Sequence, residues 1–205
     1  MKDASFKLLV SLALALSPVA ATAGDQQQTN WRLVATEADR DRLRDWRQTW
    51  TDALAAASGA GFSKAIAAQG TLFDPDRALA GAKLPAGDYR CRVFKLGAKA
   101  PGNRDFTVRP VFRCRVDLEG KLLSLSKVGG VQRPVGLVFD DSDYRQIFLG
   151  TMMLGDERRP PDYGHYGSRD MAGIIERVGP KRWRLVLPRP QFESLLDVVE
   201  LVPAR

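Results

Sequence analysis

The sequence predicts a mainly β protein with a helical segment ahead of the sheet, and three observations support this fold class. Apolar residues recur at helical spacing after Thr36, and they alternate with polar residues after Gly87. About eight alternating segments then follow one another with mostly short turns, which is typical of an antiparallel meander. We expect this meander to close into a small lipocalin-like barrel, because an open sheet leaves unpaired edges. A β-sandwich and an open α+β sheet are the alternatives.

The helical segment is predicted to begin at Thr36, whose hydroxyl can cap a helix with acidic residues in its first turns. Apolar residues of this helix form one stripe at helical spacing: Leu43, Trp46, Trp50, Ala53, Leu54 and Ala57. We expect the stripe to pack on the barrel, because a face with this period normally seeks the core. The alternative is a face that docks a partner protein or a membrane surface. Residues 58–61 should end the helix, and a shorter one is expected from Ser63 to Gln69.

The β region has one strand for each alternating stretch. The predicted strands cover residues 89–93, 112–118, 122–128, 135–139, 144–154, 171–178, 183–187 and 195–202. The last of these fits a short helix equally well and is assigned here as a strand. The Gly-x-Trp signature of the lipocalins is missing at the start of the barrel, and Trp183-Arg184 comes late in the chain. The likeness to that group is therefore one of topology.

The only two cysteines lie in a repeated triplet, Arg90-Cys91-Arg92 and Arg113-Cys114-Arg115. A turn signal lies midway between them, so folding the chain back at Gly102 and Asn103 places Cys91 opposite Cys114. We predict a cross-strand disulfide between these two residues, a bond that belongs in an oxidising compartment. Two buried free thiols are the alternative.

The same register has a consequence for the four flanking arginines. It places Arg90 opposite Arg115 and Arg92 opposite Arg113, on the face that points away from the cysteines. Like charges directly across a ladder are unfavourable unless something neutralises them. One solution is structural, with nearby carboxylates or solvent around each guanidinium group. The other is an anion site, in which the arginines hold a phosphate or carboxylate of a ligand or partner.

The N-terminus has the features of a signal peptide. Lys2 and Lys7 precede a short apolar run, and Ala21-Thr22-Ala23 offers a small-x-small cleavage site. The apolar run is much shorter than the ~20 residues of a membrane-spanning helix. We predict cleavage after Ala23 and export to the periplasm or the outside of the cell. An uncleaved anchor is the alternative.

Composition limits the classes of partner. The chain has 31 Lys and Arg against 24 Asp and Glu, a net charge of +7. Removing residues 1–23 takes away two positive charges and one negative charge, which leaves +6. A basic exported protein suits an anionic envelope glycan or lipid, or an acidic envelope protein. Nucleic acid is not expected, because no basic run with interleaved aromatic residues occurs.

Five short segments carry a family resemblance. These are Gly87-Asp88-Tyr89-Arg90-Cys91-Arg92, Gln132-Arg133-Pro134-Val135-Gly136, Gly155-Asp156-Glu157-Arg158-Arg159, Arg182-Trp183-Arg184-Leu185-Val186-Leu187-Pro188 and Phe192-Glu193-Ser194-Leu195-Leu196-Asp197. In them the chain resembles an uncharacterised bacterial exported family, domain of unknown function 4893, over about residues 31–203. The resemblance implies a single exported domain and assigns no activity or catalytic residue.

No catalytic constellation can be assembled from the sequence. His165 is the only histidine, which excludes a metal site built on several histidines. No Gly-x-Ser-x-Gly segment occurs, and Gly129-Gly130 is a turn and not a phosphate-binding loop. The acidic residues between 156 and 176 form no specific pair of the glycosidase type. We assign no catalytic or metal-binding residue and expect no cofactor.

The long connection 155–170 is the best candidate for a functional surface, because long loops in compact domains often carry binding. Its candidate ligand-binding residues are Arg158, Arg159, Tyr163, His165, Tyr166 and Arg169, added to the four arginines beside the cysteines. They could grip an anionic or sugar-like ligand at a barrel mouth. The alternative is a surface connection without a function.

These observations give a division of the chain and three hypotheses about function. We expect a signal peptide at 1–23, a helical segment packed on the barrel at 24–84 and the antiparallel β domain at 85–205. The first hypothesis is a non-catalytic, exported binding or envelope-accessory protein. The second is a structural protein that docks an envelope partner through the helix of Trp46 and Trp50. The third and weakest is a hydrolase that uses the 155–170 loop.

Overall fold

A computed structural model describes residues 29–204. The predicted signal peptide and its cleavage site lie outside the described residues. Within the described range, four α-helices precede the sheet: α1 (Trp31–Val34), α2 (Glu37–Arg44), α3 (Trp46–Ala57) and α4 (Ser63–Ala67). A π-helical turn, Ser58–Phe62, joins α3 to α4, and a 3-10 turn, Gly70–Phe73, follows. Within 29–204, no helix has the length and apolar character needed to cross a membrane.

The helix boundaries follow the local sequence. The Thr36 hydroxyl accepts a hydrogen bond from the Asp39 backbone N–H at 3.2 Å, so Thr36 caps α2 as predicted. The glycine-containing run after α3 was predicted to end the helix at residues 58–61. The helical backbone instead continues through the π turn Ser58–Phe62. Gly61 then takes φ of +88°, a conformation that glycine adopts without strain, and this changes the chain direction before α4.

Nine strands form one antiparallel sheet. They are β1 (Gly87–Ala98), β2 (Phe106–Val108), β3 (Phe112–Glu119), β4 (Leu122–Val128), β5 (Gln132–Ser142), β6 (Arg145–Leu154), β7 (Asp170–Gly179), β8 (Arg182–Pro188) and β9 (Ser194–Pro203). From β3 to β9 each strand pairs with the next, β1 pairs with β3, and β9 pairs back on β1. This closes an eight-stranded barrel, and the short β2 is an extra strand on β1. The predicted barrel is confirmed, the sandwich and the open sheet are wrong, and residues 195–202 are a strand.

Two hydrophobic cores result from the alternation along the strands. The inner core fills the barrel with side chains such as Val116, Leu125, Phe148 and Ile175. The outer core lies between the helices and the outer face of β1 and β5–β9. The apolar stripe of α2 and α3 belongs to this outer core.

The two tryptophans of α3 are part of the protein's own packing. Trp50 is fully buried and Trp46 is 8 % exposed. Arg184, on the outer face of β8, lies beneath this layer with its guanidinium 4.6 Å from the Trp50 ring. Because both tryptophan rings are covered, they are not available to a partner.

The predicted disulfide is present, but the predicted register is wrong. Cys91 bonds to Cys114 with 6.0 Å between their Cα atoms. In the ladder, however, Cys91 lies opposite Phe112 and Cys114 opposite Tyr89. The β1–β2 ladder and the β1–β3 ladder differ by one residue on the returning strand, at the irregular segment around Pro110, which has no N–H to donate.

This shift also changes the arginine pairs. Arg90 lies opposite Arg113 and not opposite Arg115, whose ladder partner is Asp88. Arg92 lies opposite Glu200 of β9 and not opposite Arg113. The predicted pairs therefore do not form, because each residue of β1 lies opposite a residue of β3 two positions away from its predicted partner.

One end of the barrel is closed by the segment that precedes β1. Leu84 is buried in the inner core, and its backbone N–H donates to the Gln146 side-chain oxygen at 2.9 Å. The Trp183 indole N–H donates to the Ala82 carbonyl at 3.0 Å. The Tyr89 hydroxyl donates to the Pro85 carbonyl at 2.6 Å, and burial raises the pKa of Tyr89 to about 12. Apolar contacts and satisfied polar groups therefore seal this end.

Candidate functional site

The other end of the barrel opens into a cavity of about 500 Å³. It lies within the ends of β1 and β3–β9 and under the loops that connect them. Its size is in the range of small-molecule sites, and such sites often occur in the mouths of β-barrels. A second, shallower cavity of about 350 Å³ lies outside the barrel between α1, α2 and β5–β7.

The wall of the barrel cavity is mostly apolar. Inward-facing side chains of the strands form it below the rim: Val93, Phe112, Met171, Leu187 and Val199. At the rim, the end of β4 and two of the loops add apolar side chains that water still reaches. Val111 is 57 % exposed, Val128 46 % and Phe192 43 %. An apolar molecule that enters the barrel would be covered by these side chains.

Charged side chains surround the cavity in unequal numbers. The cations that line it are Arg42, Lys95, Arg109, Arg113, Lys127, Arg169 and Arg189, whereas the lining carboxylates are Asp170 and Asp197. Six of these seven cations have a carboxylate partner. The pairs are Arg42–Asp39 (2.5 Å), Lys95–Asp197 (2.7 Å), Arg109–Glu193 (2.9 Å), Arg113–Asp88 (3.9 Å), Arg169–Glu157 (2.8 Å) and Arg189–Asp45. Most of the positive charge at the mouth is thus neutralised within the protein.

Lys127 is the exception. It lies on β4 in phase with the buried Leu123 and Leu125, so it points into the barrel. Its ammonium lies 4.6 Å from the centre of the Phe112 ring. Among residues 29–204, no carboxylate lies within 4.0 Å of its nitrogen. Burial lowers the pKa of Lys127, and the positive charges of Arg109 and Arg133 lower it further.

The two lining carboxylates do not offer a free negative charge. Asp197 is buried and accepts hydrogen bonds from Lys95 and from the Ser194 hydroxyl. Asp170 is 4 % exposed and accepts from the Gly164 backbone N–H at 3.1 Å. Burial raises the pKa of both carboxyl groups. Lys95 neutralises Asp197, and the positive charge of Arg42 acts on Asp170.

The 155–170 loop is held in place by hydrogen bonds. Arg169 pairs with Glu157, and Arg133 donates to the carbonyl groups of Gly130, Gly155 and Glu157. Hydrogen bonds hold the pKa of Glu157 below its usual range. The Leu154 backbone N–H has the largest effect, and Arg169 has the next largest. These contacts fix the loop to the ends of β5 and β6.

The structure places the predicted binding residues of this loop in different directions. Only Arg169 lines the barrel cavity. Tyr163 turns to α2, where its hydroxyl donates to Asp39 at 2.5 Å and accepts from the Thr36 N–H at 3.2 Å. The others are exposed to solvent: Arg158, Arg159, His165 and Tyr166.

Burial and the bond to Asp39 raise the pKa of Tyr163, so this hydroxyl stays protonated. The residue thus links the loop to the helical layer. His165 makes a ring contact with Tyr166 at 5.4 Å between centroids, and its imidazole has no hydrogen bond to another described side chain. Within 29–204, no group of three or more His, Cys, Asp or Glu residues could hold a metal ion.

The arginines beside the cysteines lie on the outer face of the barrel. Arg92 pairs with Glu200 at 3.1 Å, and Arg115 pairs with Asp88 at 3.2 Å and Asp117 at 2.9 Å. Arg90 is exposed, and Arg113 reaches the rim of the cavity. The structure therefore does not bring the four guanidinium groups together at one site.

The loop between β8 and β9 forms part of the rim and has an unusual backbone. Arg189 (φ 47°) and Glu193 (φ 56°) both adopt the left-handed conformation, which is costly for residues with a side chain. Glu193 pairs with Arg109, while Arg189 pairs with Asp45 of the helical layer. These ion pairs hold the loop over the edge of the cavity.

Sequence reasoning missed the inward-facing charges, especially Lys95 and Lys127. A signal for them exists, because both continue the apolar phase of their strands: Lys95 follows Cys91 and Val93, and Lys127 follows Leu123 and Leu125. A lysine at an inward position of a barrel strand is uncommon enough to mark a site.

Comparison with known proteins identifies the family of this chain. The model of a family described as a domain of unknown function, DUF4893, matches residues 31–201. The chain belongs to the DUF4893 family. The match begins at Trp31, as the sequence segments predicted, and it covers the helices and the whole barrel up to the last residues of β9. No curated protein and no solved structure matches the chain.

Proposed function

We propose that this DUF4893 protein is an exported, non-catalytic binding protein that holds a small molecule in the open end of its barrel. The cavity of about 500 Å³ carries this proposal. It is preformed, it is lined mainly by apolar side chains, and it is closed at the far end by Leu84 and Trp183. A pocket of this kind buries most of a small ligand at little cost in reorganisation.

Export is the second part of the proposal. A disulfide in the inner core agrees with an oxidising compartment, and so does the sequence of residues 1–23. Fractionation of the source cells should find the protein outside the cytoplasm, and N-terminal sequencing should begin at Gly24. A cytoplasmic protein that begins at Met1 would overturn this part and leave the cavity unaffected.

The cavity itself can be tested by filling it. Val93 is half-buried on the inner wall, so a Val93→Trp variant should occupy the space of a ligand. Native mass spectrometry of protein purified from its own host should show a retained small molecule in the wild type and none in this variant. Leu118→Trp is the matched control, because Leu118 is 75 % exposed near the end of β3, at the closed end of the barrel. Retention by Val93→Trp as strong as in the wild type would contradict binding in the cavity.

The other two hypotheses find no comparable support. A docking surface built on Trp46 and Trp50 would need those rings exposed, and they are buried. A hydrolase that uses His165 would need a nucleophile in contact with the imidazole, and among the described residues the contact found for this ring is with Tyr166.

A further inference from the structure

Lys127 is a cation that no carboxylate of residues 29–204 approaches within ion-pair distance. Its ammonium is half-buried on the inner wall, and two other cations, Arg109 and Arg133, lie near it. Arg133 uses its donors on three backbone carbonyl groups, and Arg109 already has Glu193. Moving an ammonium out of water is unfavourable unless it is paired. Within the part of the chain that the structure describes, the compensating contact of this ammonium is with the Phe112 ring.

The approach to this ammonium is open. Gly130, in the turn after β4, lies beside the lysine, and a Cβ atom at this position would stand 3.5 Å from the lysine nitrogen. Gly129 and Gly130 both have positive φ, a backbone conformation that favours glycine, so neither position places a side chain between the lysine and the mouth. The charge is therefore accessible from the mouth, while the apolar wall continues below it.

We propose that Lys127 binds the anionic head group of an amphipathic ligand, a single apolar chain with a carboxylate or phosphate, whose chain occupies the barrel cavity. This inference rests on the proposed function and names the class of ligand. An ammonium satisfies either head group as a point charge, whereas paired arginines would favour a flat bidentate anion. The exposed Val111, Val128 and Phe192 at the rim cover the start of the chain.

The test compares head groups at a fixed chain length. Affinities are measured by calorimetry for dodecanoate, dodecyl phosphate, dodecyl maltoside and dodecyltrimethylammonium, each below its critical micelle concentration, and for inorganic phosphate. We expect the two anionic amphiphiles to bind the wild type at least tenfold more tightly than the neutral and cationic ones. Inorganic phosphate should not compete with them, because it lacks the chain.

Three variants isolate the charge. Lys127→Met should weaken dodecanoate binding about tenfold or more and leave dodecyl maltoside unchanged, since the loss of one charged hydrogen bond has this size. Lys127→Arg should restore most of the affinity. Lys181→Met is the control, because Lys181 is an exposed lysine in the β7–β8 turn at the closed end. Urea unfolding of each variant checks that the fold is intact.

The outcomes separate this inference from the proposed function. Equal affinity of wild type and Lys127→Met for dodecanoate overturns the inference, and so does inorganic phosphate that binds as tightly as dodecyl phosphate. If dodecyl maltoside binds as well as dodecanoate and Val93→Trp abolishes both, the inference fails while the binding function stands. If no amphiphile binds, the inference fails, and the native mass spectrometry above decides the function separately.

Discussion

The outer face and the inner wall of the barrel each hold a cation shielded from water, and the protein treats the two in opposite ways. Arg184, on the outer face, is fully buried and pairs with the equally buried Glu176 at 2.6 Å. Its remaining donors reach the carbonyl groups of Leu72 and Asp74, and its plane lies over Trp50. Lys127, on the inner wall, has one aromatic contact. The fold supplies Arg184 with a carboxylate and with hydrogen-bond acceptors. In the described part of the chain it supplies Lys127 with an aromatic ring and no carboxylate.

This difference separates a charged side chain that stabilises the fold from one that is available to a ligand. A buried pair whose hydrogen bonds are all made fixes the position of two layers, here the helical segment and the barrel. A half-buried cation without a partner lowers stability and gains from any anion that reaches it. The number of carboxylate and carbonyl partners around a buried cation therefore indicates whether the cation serves the fold or a ligand.

The largest expected effect comes from breaking the outer pair. Arg184→Met should destabilise the protein by about 3–5 kcal/mol, because it leaves Glu176 buried with only the Arg145 guanidinium beside it. Urea unfolding followed by tryptophan fluorescence measures this change. Arg90→Met, an exposed arginine on the same face, is the control and should stay within about 0.5 kcal/mol of the wild type. Equal stability of the two variants would show that Arg184 is no structural centre.

Removal of the disulfide should have the next largest effect. Cys91 and Cys114 are 23 residues apart in sequence, and closing a loop of this length stabilises by about 3 kcal/mol in the chain-entropy model. We expect the Cys91→Ala/Cys114→Ala variant and the reduced wild type to unfold at similarly lower urea concentrations. Alkylation of the denatured, unreduced protein should label no cysteine. Two labelled cysteines would contradict the bond.

A smaller effect, on ligand affinity alone, follows from the pKa of Lys127. Burial and neighbouring cations lower this pKa in the free protein, and a bound anion should raise it. Because the charged form binds the anion, affinity for dodecanoate should be constant below the free-protein pKa and fall as pH rises through it. The fall should begin at a lower pH than for an ordinary lysine.

Lys127→Arg provides the control for this pH profile, since arginine stays charged over the same range. The other groups near the lysine, Arg109 and Arg133, are present in both proteins. Calorimetric titrations between pH 7 and the alkaline range should show the fall only in the wild type. Parallel profiles for the two proteins would assign the titration to another group.

The smallest effect is expected for the outer arginines beside the cysteines. Arg92→Gln/Arg113→Gln should cost about 1 kcal/mol or less, because both arginines belong to ion pairs that water reaches. Dodecanoate affinity should change less than twofold. A loss as large as that of Lys127→Met, with salt-dependent binding in the wild type, would move the head-group site from the inner wall to these arginines.

The sequence predicted the strands and the disulfide because both depend on local alternation. The hairpin register failed at the turn, because the β1–β2 ladder pairs Phe94 with Val108, three positions from the register that a turn at Gly102 and Asn103 gives. The irregular segment at Pro110 recovers one of these positions. The offset is two residues, which keeps Cys91 and Cys114 on one face because side chains alternate with period two. The bond therefore survived the error, whereas the predicted pairing of Arg90 with Arg115 did not.

The site was harder to predict, because its charges are distributed by barrel closure. Pairing of β1 with β9 brings Asp197 to Lys95 and Glu200 to Arg92, across more than one hundred residues of sequence. Only after these partners are assigned does Lys127 stand out among the described cations that line the cavity as the one without a carboxylate partner. The alternation along β4 indicates that Lys127 points inward. This alternation does not show which carboxylates of distant strands lie near the lysine.

The β1–β9 ladder also sets the order in which the protein can be completed. A chain made from its N-terminus presents β1 and β8 as unpaired edges until residues 194–203 exist, and such edges invite pairing with other chains. The last strand supplies Asp197 and Glu200 at the same moment as it closes the barrel. Docking of β9 therefore covers the edges of β1 and β8 in one event and completes the wall of the cavity with Asp197 and Val199.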